Sequence, residues 1–131
     1  MIEKIVVKTS LQEEFRDITS LIEQKLSSSK IKEGIMTIFV PHTTAAITIN
    51  ENADPSVVSD ILSTLDKIIP PQGRYSHLEG NAHAHIKSSI IGSSRQIIIE
   101  NGHLKLGRWQ GIYLCEFDGP RTREVWLKIT S

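Results

Sequence analysis

The sequence contains very little cysteine and no long hydrophobic run. Cys115 is the only cysteine among 131 residues, which excludes a disulfide within the chain and a zinc site made only of cysteines from one chain. No stretch approaches the roughly 20 apolar residues that a membrane-spanning helix requires. The segment MIEKIVVKTS is too short and too charged for a signal peptide. We therefore expect a cytoplasmic protein without a membrane partner.

The sequence also lacks an excess of charge of either sign. Fifteen basic side chains balance fifteen acidic ones, and no basic run with interleaved aromatic residues offers a stacking platform for bases, so we expect no nucleic-acid partner. Apolar residues make up 39% and charged residues 23% of the chain, which is typical of a folded domain rather than of a disordered segment. The length predicts a single domain over residues 1–131.

Hydrophobic periodicity predicts strands at both ends of the chain and helices between them. The predicted strands are residues 2–9, 12–17 (with a helix start as the alternative), 35–40, 45–50, 96–100, 111–118 and 123–129. The predicted helices are residues 18–26, 55–69 after the capping Asp54 and Pro55, and 82–91 between a capping Asn81 and Gly92.

This order of elements favours an α+β fold, with a largely antiparallel sheet and two to three helices packed on it. A parallel sheet built from alternating strands and helices is the alternative. The sequence contains neither a glycine-rich dinucleotide loop nor a phosphate-loop pattern, which weakens that alternative.

Histidine is concentrated in one short segment, YSHLEGNAHAH. His77, His83 and His85 fall within nine positions, and His42 stands in PHTTAAITINE just after a compact apolar run. Imidazoles titrate near neutrality and are the commonest metal ligands in proteins, so this clustering predicts a histidine-rich pocket. Glu51 ends the strand that begins beside His42, and it is the carboxylate that we expect in the same pocket.

The spacing of His83 and His85 limits what they can do together. Two positions on a helix are about 200° apart, so the two rings would point nearly opposite ways. Only an extended segment would put both on one face as a clamp for one metal. We expect His85 to face the pocket, because Ser88 and Ser89 continue its polar side. His83 would then face solvent, a loop or a neighbouring subunit.

The segment LGRWQGIYLCEFDGPRTR carries three arginines that could hold an anion. Arg108, Arg121 and Arg123 can make bidentate contacts to phosphate or carboxylate groups. The alternative is that GPR forms a β-turn with a solvated arginine. Gln110 can hydrogen bond to a ligand, whereas Cys115 lies in mid-strand and is predicted to be a small buried apolar residue.

Taken together, the blocks HTTAAITINENADP, YSHLEGNAHAHIKSSIIG and LGRWQGIYLCEFDGPRTR resemble the YjbQ-like family of small bacterial and archaeal proteins. The resemblance extends from about residue 2 to residue 129, with the three blocks in order. It implies a trimeric α+β protein and secondary thiamine-phosphate synthase activity. It also implies functional roles for six residues: His42, Glu51, His77, His85, Gln110 and Arg121. His83 and Cys115 lie outside the family pattern.

From these observations we expect a metal-assisted enzyme that acts on a small anionic, phosphorylated metabolite. His42, His77 and His85 are the expected ligands of a divalent metal, with zinc favoured over magnesium because imidazole suits zinc and magnesium prefers carboxylates. Glu51 and His42 are the expected catalytic residues. The remaining expected substrate contacts are Gln110, Arg121, Thr43 and Ser89.

Two alternatives remain open. The first is thiamine-phosphate synthesis, which joins a pyrimidine diphosphate to a thiazole phosphate. Dedicated synthases of this kind resemble (β/α)8 barrels of about 250 residues, so this chain would need a different scaffold for the same reaction. The second alternative is a noncatalytic homotrimer that binds a small anionic metabolite or a metal.

Overall fold

The computed structural model describes residues 2–131. In chain order its elements are β1 (Glu3–Lys8), β2 (Glu14–Asp17), α1 (Thr19–Ser29), β3 (Gly34–Phe39), β4 (Ala45–Glu51), α2 (Pro55–Ile68), α3 (Ala82–Ile91), β5 (Ser94–Glu100), β6 (His103–Leu104), β7 (Gln110–Glu116) and β8 (Thr122–Thr130). The predicted strands and helices are therefore present, and the two-residue β6 is an addition. No helix among these residues combines the length and hydropathy needed to cross a bilayer.

The strands form two sheets rather than the single sheet that we expected. One sheet has five strands in the order β1-β8-β3-β5-β6, and the other has three in the order β2-β7-β4. All neighbouring pairs are antiparallel, which confirms the α+β expectation and shows that the parallel alternative is wrong. From Gly111 to Glu116, β7 is buried on both faces. This agrees with its position as the central strand of the second sheet, because a strand that is apolar on both faces must be packed against other elements on both sides.

The main core lies between the two sheets and under α1. Fully buried side chains from both sheets, including Ile38, Ile47, Leu114 and Val125, pack there with Ile22 of α1. Fully burying one such aliphatic side chain contributes about 1.5–3 kcal/mol. This layer therefore fixes the relative position of the two sheets and of the loops that leave their edges.

A smaller core lies on the outer face of the three-stranded sheet. Ala46, Cys115 and Phe117 pack there against Ala84 of α3, and none of these four residues is exposed. Burial confirms Cys115 as a small apolar residue of the interior, and it raises the pKa of the thiol. This packing holds α3 against β4, so the polar side of the helix is presented at the edge of the sheet.

The helix ends match the sequence predictions in part. Asp54 caps α2 as expected, since its carboxylate accepts a hydrogen bond from the Ser56 backbone N–H at 2.9 Å. Asn81 stands at the start of α3 but makes no side-chain cap, which corrects the prediction. Its amide instead donates to the Asp118 carboxylate at 2.8 Å, because a bond to a charged acceptor is stronger than a neutral capping bond. Gly92 ends α3 with a φ of 101°.

Candidate functional site

A polar cleft forms where three segments meet at one edge of the three-stranded sheet. Ala45 of β4 pairs with Glu116 of β7 in antiparallel register, so the loop that precedes β4 and the turn that follows β7 leave the sheet side by side. The third wall is α3, which packs on β4 through Ala84. We call this space the histidine cleft, because His42 from the loop and His85 from α3 both line it.

The histidine cleft has two adjoining lobes that share His42, Thr43 and His85. The inner lobe, of about 390 Å³, is otherwise lined by small residues of β4, α3 and the segment after it: Ala45, Ser88, Ser89, Gly92 and Ser93. The outer lobe, of about 350 Å³, is lined in addition by Pro41, Thr44, Glu79, Asn81, Asp118, Arg121 and Arg123. Four predicted site residues from the loop and α3 (His42, Thr43, His85 and Ser89) therefore meet in one cleft.

His42 is held as a neutral ring with a fixed tautomer. Its Nε2 accepts a hydrogen bond from the Glu124 backbone N–H at 2.9 Å. Since a neutral imidazole has one acceptor nitrogen and one N–H, Nδ1 carries the proton. Burial, reinforced by the charge of Arg123, lowers the pKa of His42 below its ordinary value of 6.5. At neutral pH this ring is therefore a hydrogen-bond donor.

His77 and His85 are direct neighbours. Their ring centroids are 5.2 Å apart in an edge-to-face arrangement, and Nε2 of His77 lies 3.8 Å from the Glu79 carboxylate. Both rings also line a third cleft with Tyr75 and Ile86. His85 thus stands between this cleft and the two lobes of the histidine cleft.

The three predicted metal ligands do not form a complete metal site within the chain. Among residues 2–131, no group of three or more histidine, cysteine, aspartate or glutamate side chains is arranged to hold a metal ion. The acceptor nitrogen of His42 is already used by Glu124, so that ring offers no free lone pair to a metal. Of the predicted set, only His77 and His85 are suitably placed as a pair.

Arg121 lies on the rim of the outer lobe and is held by Asp118. Its Nε donates to the Asp118 carbonyl at 2.7 Å, and its terminal nitrogen lies 3.0 Å from the Asp118 carboxylate. The same carboxylate accepts the amide of Asn81. The Arg121 side chain remains 54% exposed. Arg121 is therefore oriented by the protein and still open to a ligand.

The other two arginines of the predicted anion clamp have different roles. Arg123 is buried and forms an ion pair with the fully buried Glu116, and it also donates to the Thr44 hydroxyl at 2.8 Å. Thr9 donates to the same carboxylate at 2.7 Å. This network fixes the floor of the cleft. Arg108 stacks on the Trp109 ring at 4.9 Å, in the turn before β7 rather than in the cleft.

Glu51 and Gln110 are not brought to the histidine cleft of this chain. They pair with each other at the end of the three-stranded sheet opposite to Ala45. The six steps along β4 from Ala45 to Glu51 place them roughly 20 Å from the cleft. The Gln110 side chain accepts the Gly107 backbone N–H at 2.8 Å, which closes the turn before β7. The sequence predicts Glu51 to lie near His42 because the two residues adjoin the same strand, β4. That prediction is wrong for this cleft, because His42 lies before the start of the strand and Glu51 at its end.

His83 and Lys87 lie on the buried side of α3. His83 is only 2% exposed, so solvent, one of the three surroundings that we expected for it, is wrong, whereas the opposite orientation of the two rings is confirmed. Lys87 is fully buried and bonds to Glu13 at 2.9 Å and to Asp66 at 2.5 Å. It therefore cannot contact a ligand's phosphate from this position.

Sequence reasoning missed Asn81 and Asp118 as side chains of the cleft. The sequence predicts Asn81 to be a helix cap, and it predicts no role for Asp118. The available signal was position, because Asp118 immediately precedes the turn that carries Arg121. No sequence feature marks Glu13 or Asp66 as partners of Lys87, because those pairs join distant elements.

The comparisons with known sequences all point to one family. A sequence model of the UPF0047 protein YjbQ-like family matches residues 3–131. A UPF0047 protein of Methanocaldococcus jannaschii is 56% identical over 129 residues, which cover 98% of this chain and 94% of the relative. The UPF0047 protein YugU of Bacillus subtilis is 49% identical over 130 residues, which cover 98% of each chain.

Solved structures give the same result for the fold. An uncharacterized YjbQ/UPF0047-family protein from Clostridium acetobutylicum has a TM-score of 0.95 and 58% identity, covering 98% of this chain and 99% of the other. A YbjQ-like protein of unknown function from Sulfolobus solfataricus has a TM-score of 0.93 and 39% identity, covering 98% and 95%. The similarity therefore extends over the whole domain.

Proposed function

The chain belongs to the YjbQ-like UPF0047 family, and we propose that it is an enzyme that binds a phosphorylated small molecule in the histidine cleft and moves protons there. The observation that carries this proposal is the meeting of His42, His85 and Arg121 around one cleft. These side chains come from three separate elements. Together they offer a neutral donor, a second imidazole and a cation within one ligand-sized space.

Arg121 and the start of α3 support binding of a phosphate group in the outer lobe. An exposed guanidinium makes bidentate contacts to phosphate oxygens. Asn81, the residue that opens α3, lines the same lobe. The first backbone N–H groups of a helix have no partner within it, and the helix dipole adds a partial positive charge at this end. Both features favour an anion at this position.

The two cleft histidines have different proposed roles. His42 is neutral with its Nε2 occupied, so it donates from Nδ1 to a ligand oxygen and stabilises charge that develops there. His85 accepts a proton from the ligand and returns it, which is the commonest role of a catalytic imidazole. Glu51 has no role in this scheme, because it lies at the far end of the sheet.

A panel of phosphorylated metabolites tests the proposal. We expect at least one compound to be converted by the purified protein, with the product detected by mass spectrometry. His85→Gln should reduce turnover by about 100- to 10,000-fold, the contribution of a general acid–base group, at little cost in thermal stability. His103→Gln, an exposed histidine on β6, is the matched control and should retain activity.

Two outcomes of this panel would contradict the proposal. Turnover that survives His85→Gln would remove the proposed acid–base role. A ligand that remains bound through purification without conversion would favour the noncatalytic alternative, in which the cleft only binds an anionic metabolite.

Thiamine-phosphate synthesis is one reaction that would suit this site. Both of its reactants carry phosphate groups, and the departing pyrophosphate needs a cation such as Arg121 to stabilise its charge. Purified protein given the pyrimidine diphosphate and the thiazole phosphate should then form product, and Arg121→Gln should reduce the rate. Product formation no higher than the protein-free background would remove this reaction and leave the wider proposal standing.

Divalent-metal binding is a second candidate function, and the adjacent rings of His77 and His85 favour it. Two imidazoles suit zinc better than magnesium, and the remaining ligands would have to come from a bound ligand or from another subunit. Equilibrium dialysis with zinc tests this function. His77→Asn and His85→Asn should each abolish zinc binding, whereas His42→Asn should leave it unchanged. Zinc retention in both of the first two variants would contradict it.

We also propose that the chain assembles as a homotrimer. The outer face of the five-stranded sheet exposes Ile35, Phe39 and Ile98, which are 45%, 39% and 61% accessible, and exposed apolar patches of this kind mark protein–protein interfaces. The number of copies follows from the family resemblance. Light scattering should give three times the chain mass for the wild type and a smaller mass for Ile98→Glu. A monomeric wild type would contradict the assembly.

A further inference from the structure

Buried polar atoms without a hydrogen-bond partner are concentrated at one helix. Among residues 2–131 these atoms are Oδ1 of Asn81, both ring nitrogens of His83 and Oγ of Ser88. All three residues belong to α3 or directly precede it. A buried donor or acceptor that stays unpaired destabilises the native state. Atoms of this kind are therefore expected to bond to a group from outside the polypeptide chain.

Asn81 connects this group of atoms to the outer lobe of the histidine cleft. Its amide nitrogen donates to Oδ2 of Asp118 at 2.8 Å, and the same oxygen accepts from Arg121 at 3.0 Å. Because a carboxylate only accepts hydrogen bonds, the nitrogen of the Asn81 amide, and not its oxygen, must face Asp118. The amide oxygen diverges from the nitrogen at the same carbon, so it points away from Asp118 to a buried position where it is unpaired.

His83 can supply the donor that the Asn81 oxygen lacks. Burial lowers the pKa of His83 below its ordinary value of 6.5, the amine of Lys87 adds to this effect, and the carboxylates of Asp118 and Asp66 oppose it. At neutral pH the ring is therefore neutral, with one N–H and one acceptor nitrogen. The effects of Lys87 and Asp118 on this pKa indicate that the ring lies close to both charges.

An ordered water is the partner that fits these atoms. The Asn81 oxygen and the His83 ring are not hydrogen-bonded to each other, although the two residues stand close together at the start of α3. A water molecule can accept from the His83 N–H and donate to the Asn81 oxygen. Folded proteins hold about one buried water per 27 residues, mostly at polar groups that are otherwise unsatisfied, so 131 residues should hold on the order of five.

We propose that His83 is a positioning residue for Arg121, which acts through an ordered water between its ring and Asn81 and then through Asp118. This inference rests on the proposed function, because Arg121 is the residue that we expect to bind the phosphate. The water fixes the Asn81 amide, the amide holds the Asp118 carboxylate, and the carboxylate orients the guanidinium of Arg121 at the rim of the outer lobe. His83 is buried and does not contact the ligand.

Crystal structures of the wild type and of His83→Leu test the water bridge. In the wild type we expect a water at about 2.7–3.2 Å, the hydrogen-bond range, from both the Asn81 oxygen and a ring nitrogen of His83. Leucine is of similar size but cannot bond to this water. In the variant we therefore expect the Asn81 amide to turn away from Asp118 and the Arg121 side chain to be less ordered. Wild-type crystals without a water that joins these two atoms would overturn the bridge.

Isothermal titration calorimetry with inorganic phosphate tests the consequence for binding. We expect His83→Leu to weaken phosphate binding roughly two- to tenfold, the effect of one lost hydrogen bond. His83→Met is a second apolar variant with the same expectation. His83→Gln keeps a donor and an acceptor, so it should restore most of the affinity. His103→Leu, at an exposed position of β6, is the matched control and should leave the affinity unchanged.

The opposite result is expected if His83 is only a residue of the interior. Replacing an unpaired polar group by an apolar one of similar shape is then neutral or stabilising, and the phosphate affinity should not respond. Rescue by His83→Gln therefore distinguishes a hydrogen-bonding role from a packing role.

The outcomes separate this inference from the proposal on which it rests. Phosphate binding that depends on Arg121, but that His83→Leu and His83→Met leave unchanged or that His83→Gln weakens equally, would overturn the role of His83 and leave the proposed function standing. If Arg121→Gln did not weaken the binding of phosphate, or if the wild type bound none, the proposed function would fail, and the positioning role of His83 would fail with it.

Discussion

The two sides of α3 differ in how their polar groups are satisfied. On one side His85 and Ser89 face the open histidine cleft. On the other side His83 is buried, and Lys87 lies in the interior between Glu13 and Asp66. The His85 ring on the first side is open to a ligand. On the second side Lys87 is fully engaged by the protein, and the two ring nitrogens of His83 have no hydrogen-bond partner among residues 2–131. The rotation of the helix thus places the histidines of one short segment in two different surroundings, one open and one buried.

The buried side should govern stability, and Lys87→Met tests this with the largest expected effect. The substitution leaves Glu13 and Asp66 facing each other without a cation. We expect a loss of about 3 kcal/mol in the free energy of unfolding, at the low end for a broken buried ion pair, because Asp66 is half exposed and can regain water. Chemical denaturation of the wild type and the variant measures this loss.

Lys67→Met is the matched control for that experiment. Lys67 lies in the last turn of α2, next to Asp66, but it is exposed, so its replacement should change the unfolding free energy by less than about 0.5 kcal/mol. Equal effects of the two substitutions would show that the buried side of α3 is not a special contributor to stability.

A pH series tests the buried side of α3 in a second way, with an expected effect on the unfolding free energy that is smaller than that of Lys87→Met. Burial lowers the pKa of His83 below its ordinary value of 6.5, so the unfolded chain binds the proton more readily than the native one. His83 therefore contributes its full stability above pH 6.5, and this contribution is lost as the pH falls below that value. Between pH 7.5 and 5.5 the expected loss is up to about 1 kcal/mol.

The His83→Gln variant isolates this contribution from those of other groups. Its unfolding free energy should fall less between pH 7.5 and 5.5 than that of the wild type, as measured by urea denaturation at both pH values. His103→Gln is the control for a histidine on the surface and should keep the wild-type slope. If the slope of His83→Gln also equalled that of the wild type, a depressed pKa for His83 would be excluded.

The smallest expected effect concerns the far end of the three-stranded sheet. Glu51→Gln should change the affinity for inorganic phosphate by less than twofold and the unfolding free energy by less than about 0.5 kcal/mol, because Glu51 is partly exposed and lies outside the cleft. Calorimetry and denaturation measure the two quantities. A large loss of phosphate affinity would show that this end of the sheet belongs to the binding site after all.

Local patterns in the sequence were sufficient to predict most elements of the fold. The alternation of Val125 and Leu127 with Glu124, Trp126 and Lys128 identified β8. The Asp54 cap with Pro55 identified the start of α2. The division into two sheets could not be predicted in this way, because it depends on which strands pair. That choice is made by long-range contacts such as Ala45 with Glu116.

The candidate site could be predicted most directly where its residues share a helix or a loop. The orientation of the His85 ring could be predicted from the rotation of the helix. The location of Thr43 in the cleft could be predicted from its position beside His42. Glu51 was misplaced, because adjacency along a strand does not say at which end of the sheet a residue lies. The buried partners of Lys87 were equally inaccessible, since Glu13 and Asp66 come from elements distant in sequence.

The central claim is that His42, His85 and Arg121 belong to one ligand site. NMR spectroscopy of the histidine ring Cε1–H signals during a titration with inorganic phosphate tests it most directly. The account predicts that the His42 and His85 signals shift with one common Kd, that Arg121→Gln raises this Kd, and that the His103 signal does not move. Unchanged His42 and His85 signals at saturating phosphate, or a His103 shift of the same size, would contradict it.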